Sequence, residues 1–491
     1  VLRNSFRPAL VAGRFNGLVT NPPWLALSKI GSNPYRDALK SKAEAYGIKA
    51  PGASHLHVEI ATIFALHAID RYLSPDAVIA SVLPDTVLNG AHHEPFRLRG
   101  YLAASRPVMF CPTELWSVAR GTFKNEAIVL FGKKSRPEKA STKLIGCEVS
   151  RQSDSPQDFH FVSSGGRTAW TTNVSDTAAK HVVKGLSIGA LFRQGADVMP
   201  RGTVFHAAEK AGSGWNLGPI IAGSPFYFLR ADGHRLKDFA LIAKAVSDRV
   251  MFDVLLSKHL APYDLATGAK ALLPFRFGSS GWESQSGARL AALGVSTSTA
   301  INSSLAAINE SADQFFNTVD TARRKLRGQS WARSHWVIFA SAGGKFPCAA
   351  YVAGGSIPCR ETIIDQTLYW GLVSTEDEAI FITGLINSSA AIKVIRAHQP
   401  RGAFGERHIH KLVFDRTPKY DSTIPTHAAV VDATKTLLAE WEQRKNQPDI
   451  QPLLNSPQKH LITRRKRMRE ALAGLNAWDA YDDATHALYG I

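Results

Sequence analysis

Apolar positions at the start of the chain, as far as Gly132, follow a strand pattern, then a helical one, then a strand pattern again. Residues 14–20, RFNGLVT, predict a short strand that runs straight into Pro22 and Pro23. A polar stretch from Ser28 to Ser54, broken by Gly31, Pro34, Gly47, Pro51 and Gly52, predicts a long loop with one short helix. Over 57–73, residues Val58, Ile60, Ala61, Phe64, Ala65, Ala68, Ile69 and Tyr72 fall at helical spacing, with Ser74-Pro75-Asp76 as the stop. AVIASVLP (77–84) is an unbroken apolar run, the pattern of a strand buried on both faces of a mainly parallel sheet. PVMF at 107–110 and EAIVLFG at 126–132 predict two more strands. Strand, crossover helix and strand in this order predict an α/β sheet with helices on its faces.

At 133–158 the composition turns polar and charged (KKSRPEKASTK, RQSDSPQD), which predicts a solvated linker over 136–180. Beyond it, short strands at 220–230, 335–341 and 378–386 mix with a helix at 236–256, and 181–420 is expected to be a second, α+β domain. The stretch 421–491 is expected to be mostly helical. A chain of 491 residues is too long for one domain, in keeping with this division.

With 45% hydrophobic and 20% charged residues the chain can bury real cores. Lys and Arg number 58 against 41 Asp and Glu, a net charge of +17, and an excess of that size favours a polyanionic partner such as nucleic acid. Cys111, Cys147, Cys348 and Cys359 form no CxxC pair, so no structural zinc site is expected from the thiols. No apolar run approaches the roughly 20 residues that span a bilayer, and no membrane partner is expected. The opening residues lack the apolar core of a signal peptide, so the expected location is cytoplasmic.

The chemistry concentrates at Asn21-Pro22-Pro23-Trp24. An exocyclic aromatic amine is a poor nucleophile because its lone pair is delocalised into the ring. Two hydrogen-bond acceptors on its two hydrogens favour the tetrahedral nitrogen, which can attack a sulfonium methyl group. Asn21 can offer its side-chain oxygen and Pro22 its carbonyl. Two consecutive prolines restrict the backbone torsion φ and leave no competing N–H, so the carbonyl is set in advance. Trp24 offers a face on which an extruded base can stack. The plain alternative is a proline turn that ends a strand, with Trp24 as ordinary core.

FNGLVTNPPW resembles the catalytic motif and preceding strand of class I S-adenosylmethionine-dependent DNA adenine-N6 methyltransferases. The stretch from HVEIATIFALHAIDRYL to VLNGAHHEPFR resembles the helix, strand and loop that follow it, and PVMF…GTFKNEAIVLFG is similar to the terminal hairpin of that sheet. GALFRQGADVMPRGTVF resembles the opening of the target recognition domain of large restriction-modification and phage-defence methylases. DEAIFITGLINSSAAIKVI and RHIHKLVFDRTPKYD resemble its closing helix and last strand. The resemblance implies a partial class I methyltransferase (Rossmann-like) sheet over 1–135, a target recognition domain over 181–420 and a helical C-terminus. It also implies S-adenosylmethionine as cofactor, double-stranded DNA as partner, and Asn21, Pro22, Pro23 and Trp24 as the residues that hold the target adenine.

In that family a strand, a glycine-rich turn and a helix upstream of the motif bind the cofactor. Too little chain precedes Asn21 to hold it, so this unit is expected from a missing N-terminal segment or a partner subunit. AGSGWNLG at 211–218 reads as a loop and supplies no substitute. Arg201, Arg401, Arg407, His408 and Lys411, in recognition-domain loops, can touch DNA or be plain surface charge. Arg464, Arg465, Lys466, Arg467 and Arg469 form a basic run that suits phosphate contact or a solvated helix face. Gln399-Pro400-Arg401-Gly402 suits close approach to a phosphate or an ordinary turn. Asp85, at a strand end, can line the site or cap the next helix. His55, His57, His92 and His93 lack a carboxylate or thiol pattern to complete a metal site, so no metal is expected. Two other readings share the motif. One is a non-catalytic DNA-binding remnant, the other an RNA or protein-glutamine methyltransferase of the same type.

Overall fold

In a computed structural model the chain is described over residues 10–50, 58–119, 121–123, 125–136, 142–164, 167–172, 187–219, 239, 241–399, 409–455 and 461–491. It divides into two units, Val1–Lys180 with Lys393–Leu412, and His181–Ile392 with Val413–Ile491.

The first unit is an α/β layer built as the apolar pattern predicts. Strand β1 (Phe15–Thr20) leads through the double proline to helix α1 (Pro34–Ala45). Asn33 caps α1 by accepting from the Arg36 backbone N–H at 2.9 Å, and Pro34 takes the first-turn place where no N–H is needed. Helix α2 (Ile60–Tyr72) buries Ile60, Ala61, Ile63, Leu66 and Ile69 and crosses back to β2 (Leu73–Pro84). Strands β1 and β2 pair in parallel, with Gly17 beside Val78 and Thr20 beside Ser81.

Strand β4 (Ala127–Lys133) lies between β2 and β3 (Cys111–Val118), antiparallel to both, so the expected hairpin is present. The third strand begins at Cys111, just after PVMF, which is buried coil at Val108 and Phe110. The sheet continues through β5 (Lys143–Val149), β6 (Asp154–Pro156), β7 (Phe159–Ser164) and β8 (Arg167–Thr171). Its order is β1-β2-β4-β3-β5-β7-β8, with β6 paired to β5. Over 143–171 the expected linker is therefore sheet. Leu144, Phe159 and Trp170 are buried there, spaced too far apart among charged residues to show as a run. Gly146 is required in β5, because a Cβ there would lie 1.8 Å from the Leu115 carbonyl oxygen of β3.

Two other expectations change. Among the described residues, β1–β2 and β3–β5 are the parallel pairs of this sheet, so it is mixed. Burial along β2 alternates over Ala77, Ile79, Ser81 and Leu83 while Val78 is 57% exposed, so that strand is not covered on both faces.

The second unit mixes small sheets with helices. Its four-stranded antiparallel sheet runs Ala349–Ala353, Trp336–Ser341, Leu368–Val373, Arg193–Gln194. Residues 241–256, expected to be helical, instead form the strands Ala243–Ser247 and Met251–Leu255. The second of these pairs Met251 with Leu272 and Phe252 with Ala271, and long-range pairing of aromatic and β-branched residues overrides the local helical spacing. Conversely 378–386 is helical, within α3 (Glu376–Asn387). The Thr375 hydroxyl accepts from the Glu378 N–H at 3.3 Å, and Glu376, Asp377 and Glu378 sit at the positive end of the helix dipole. The expected last strand at 411–416 is a short helix, Lys411–Arg416.

The C-terminal stretch is helical, with α4 (Pro425–Arg444), α5 (Leu461–Ala473) and α6 (Trp478–Tyr489) around Leu437, Trp441, Met468 and Tyr481. Among the described residues no single helix is long and apolar enough to cross a membrane. The strand expected at 220–230 lies outside them.

Candidate active site

Asn21 follows the last residue of β1, at the carboxyl end of a parallel strand pair, where open α/β sheets bind ligands. Asn21 and Pro23 are exposed, Pro22 is buried and Trp24 is half-buried. The tetrapeptide is held from both sides. Before it runs the β1–β2 ladder. After it the Leu25 carbonyl accepts from the Ile60 N–H at 2.9 Å, the Leu27 N–H donates to the Val58 carbonyl at 3.1 Å, and Ala26 bridges Glu59. The Trp24 indole N–H donates to the Val82 carbonyl at 3.3 Å, and its ring packs at the margin of the apolar core. That ring is thus fixed in orientation without being swallowed by the core.

The loop after β2 closes over the same end. Asp85, buried, opens a 3-10 turn (Asp85–Leu88) with its N–H on the Glu126 carbonyl at 3.1 Å. The buried Arg97 guanidinium donates to the carbonyls of Val87 at 3.1 Å and Gly90 at 2.8 Å and to the Thr168 hydroxyl at 3.2 Å, fixing the loop's path. A second turn, Ala91–His93, brings the His92 and His93 rings to 4.3 Å between centroids.

Beside these rings stands Glu59, the residue that precedes α2. Donor atoms of Glu59, His92 and His93 all lie within 4.8 Å of one another. Sequence spacing offers these histidines no carboxylate. The fold supplies one from far upstream, because the residue that opens α2 lies beside the loop. The Thr86 hydroxyl donates to Glu59 Oε1 at 3.2 Å, whereas Oε2 is buried without a hydrogen-bond partner. Burial pushes the Glu59 carboxyl up to about 7, against the Thr86 bond that lowers it. His93, 1% exposed, likewise has no hydrogen-bond partner at Nε2. Its pKa falls well below the usual imidazole value through burial, then through His92 and Arg97. Each such buried atom costs on the order of 1–3 kcal/mol. His55 and His57 lie outside the described residues.

Of the residues read as DNA contacts, Arg401, Arg407 and His408 lie outside the described residues. Lys411 is exposed at the start of its short helix. Arg201 donates to the fully buried Asp365 at 3.2 Å and keeps only 14% of its side chain exposed. In the tetrad 399–402 only Gln399 is described, and its carbonyl accepts from Asn89 Nδ2 at 2.7 Å. AGSGWNLG lies in an antiparallel hairpin between Ala207–Ala211 and Gly214–Gly218, with Gly212 at φ +58° in the turn.

The basic run on α5 meets neither of its two expectations in full. Lys466 and Arg467 face solvent, but Arg464, Arg465 and Arg469 are buried and donate to main-chain carbonyls. An exposed basic cluster of the second unit lies at Arg323, Arg324 and Arg327. There Thr321 (φ 59°) and Arg324 (φ 54°) bend the backbone around an open depression of about 420 Å³ that Arg324 and Arg327 help to line. Arg327 is braced by Asp320 at 2.7 Å. The signal for it in the sequence is the run ARRKLRG (322–328).

No protein-family profile matches the chain, and no curated protein matches it. Solved structures similar to it include the Type IIL restriction-modification enzyme MmeI in complex with DNA, at 12% identity and a TM-score of 0.48 over 97% of this chain and 57% of that one. The type IIG restriction endonuclease BpuSI is similar at 11% identity and a TM-score of 0.29, over 99% of this chain and 55% of its own. The DrdV–DNA complex is similar at 12% identity and a TM-score of 0.44, over 89% of this chain and 45% of DrdV. The chain thus spans about half the length of these solved proteins.

Proposed function

We propose that the first unit is the adenine-holding half of an S-adenosylmethionine-dependent DNA adenine-N6 methyltransferase, of restriction-modification or phage-defence type, and that the second unit carries DNA contacts. The observation that supports this most is the placing of Asn21. It is an exposed amide at the carboxyl end of β1, followed by a buried proline and a half-buried indole whose orientation is fixed. In this reading Asn21 Oδ1 and the Pro22 carbonyl accept the two N6 hydrogens. The nitrogen lone pair is thereby drawn out of conjugation, and Trp24 supports the flipped base. Methyl transfer to duplex DNA, compared between the wild type and Asn21→Ala, tests it.

The described residues of this unit do not complete a cofactor site of the family's kind, since none forms a glycine-rich turn from a parallel strand into a helix. They offer an open edge instead. Among the described residues β1 pairs only with β2, and Val19 on it is 88% exposed. The proposed source of the cofactor unit is a further segment or a partner subunit that adds along this edge.

For DNA contact, Arg323 and Arg324 are the first candidates. A cation that neutralises one phosphate contributes about 0.9 to the slope of log affinity against log salt. The double variant Arg323→Gln/Arg324→Gln is expected to lower that slope by about 2 and to weaken binding alike on all duplex sequences. Fluorescence anisotropy at several salt concentrations measures it, and an unchanged slope removes this cluster from the interface.

A further inference from the structure

Two imidazoles and a carboxylate converge where the loop after β2 passes the start of α2. We propose that Glu59, His92 and His93 bind a divalent transition-metal ion of the zinc type, which clips that loop to the head of the crossover helix. The site is separate from the acceptors assigned to Asn21 and Pro22 and stands whether or not the chain methylates DNA.

Three observations carry it. The donor atoms lie within 4.8 Å of one another. Zinc bonds of about 2.0–2.2 Å set tetrahedral donors roughly 3.3–3.6 Å apart, a contraction of about 1.5 Å at most from the present spacing. The second is unsatisfied polarity within the group. Nε2 of the 1%-exposed His93 and Oε2 of Glu59 are both buried without a hydrogen-bond partner, as befits atoms that await an ion. The third is the outer support that metal ligands need. Glu59 Oε1 is held by Thr86 at 3.2 Å, and Arg97 fixes the loop through the Val87 and Gly90 carbonyls. Gly90 contributes by what it lacks, for a Cβ there would stand 2.8 Å from the Thr86 carbonyl oxygen and 3.0 Å from His92 Cε1 and crowd both.

The donor set selects the ion. Magnesium and calcium favour oxygen ligands throughout, whereas two imidazoles with one carboxylate suit zinc and its neighbours and leave a fourth position for water. Because Glu59 and His92 are only partly buried, solvent and ion can reach the group.

The test uses the full chain, stripped of metal by a chelator and titrated with Zn²⁺ in a calorimeter, and with Co²⁺ as a coloured reporter. Wild type is expected to bind Zn²⁺. Glu59→Gln and His92→Gln are each expected to weaken binding at this site by at least about tenfold and to lose the Co²⁺ visible band. Melting of each metal-free variant checks that the fold survives, and His93 is left in place because it is fully enclosed. If one variant fails to fold, the other decides, together with Gly90→Ala, which crowds His92 without removing a donor. No Zn²⁺ binding by the wild type, or equal affinity in the folded variants, overturns the site.

Discussion

On the proposed function, Asn21→Ala is expected to lower methyl transfer to duplex DNA by about 10²–10³-fold, the usual effect of deleting one preorganised polar group that acts on the transition state. DNA affinity is expected to stay within about twofold, because in that reading the base is also held by stacking and the duplex by its phosphates. Fold stability is not expected to change, since Asn21 is exposed. Asn21→Asp, which keeps an acceptor oxygen, retains more activity than Asn21→Ala. Trp24 cannot serve as cleanly, because its N–H also bonds the Val82 carbonyl and its ring covers core. The assay is run on the chain together with the unit proposed to supply the cofactor. Equal rates for wild type and Asn21→Ala would mean that the acceptor has been misplaced. Full DNA binding with no transfer from the complete wild-type assembly would favour the non-catalytic reading.

The second large effect is on stability. Arg464, 1% exposed, donates to the carbonyls of Lys258, Leu453 and Leu454. Burial pushes its guanidinium down to about 10, with Arg465 adding to the shift, so it remains charged at neutral pH. Carbonyl dipoles are the partners that the described residues give this charge. Arg464→Ala takes the donor from two buried carbonyls and a part-buried one and is expected to cost about 3 kcal/mol or more. For a unit of this size that is a fall in melting temperature of roughly 5 °C. Lys466→Ala and Arg467→Ala, on the exposed face of the same helix, stay within about 0.5 kcal/mol of wild type. Scanning calorimetry reads all three. An Arg464→Ala protein that melts like the wild type would show that the buried arginine does not hold α5 in place.

These two cases also mark what the sequence makes legible. The strand, proline pair and indole are contiguous, so β1, α2, β2 and the tetrapeptide between them follow from local spacing. Glu59 and His92 do not, because they stand far apart along the chain and only the crossover helix brings them together. The same limit applies to 143–171, where burial depends on pairing with β3. It applies again to 251–255, where a helical spacing yields to a ladder with residues 269–272. In the α5 run, five basic residues look alike in one dimension. Helical geometry turns three of them inward and two outward.

The side of β1 that no described strand covers has a consequence for handling the protein. Main-chain groups left open there, flanked by an 88%-exposed valine, are a template for any extended peptide, including another copy of the same strand. Concentrated preparations of this chain by itself will tend to associate edge to edge, and a lysine in place of Val19 should keep them dispersed.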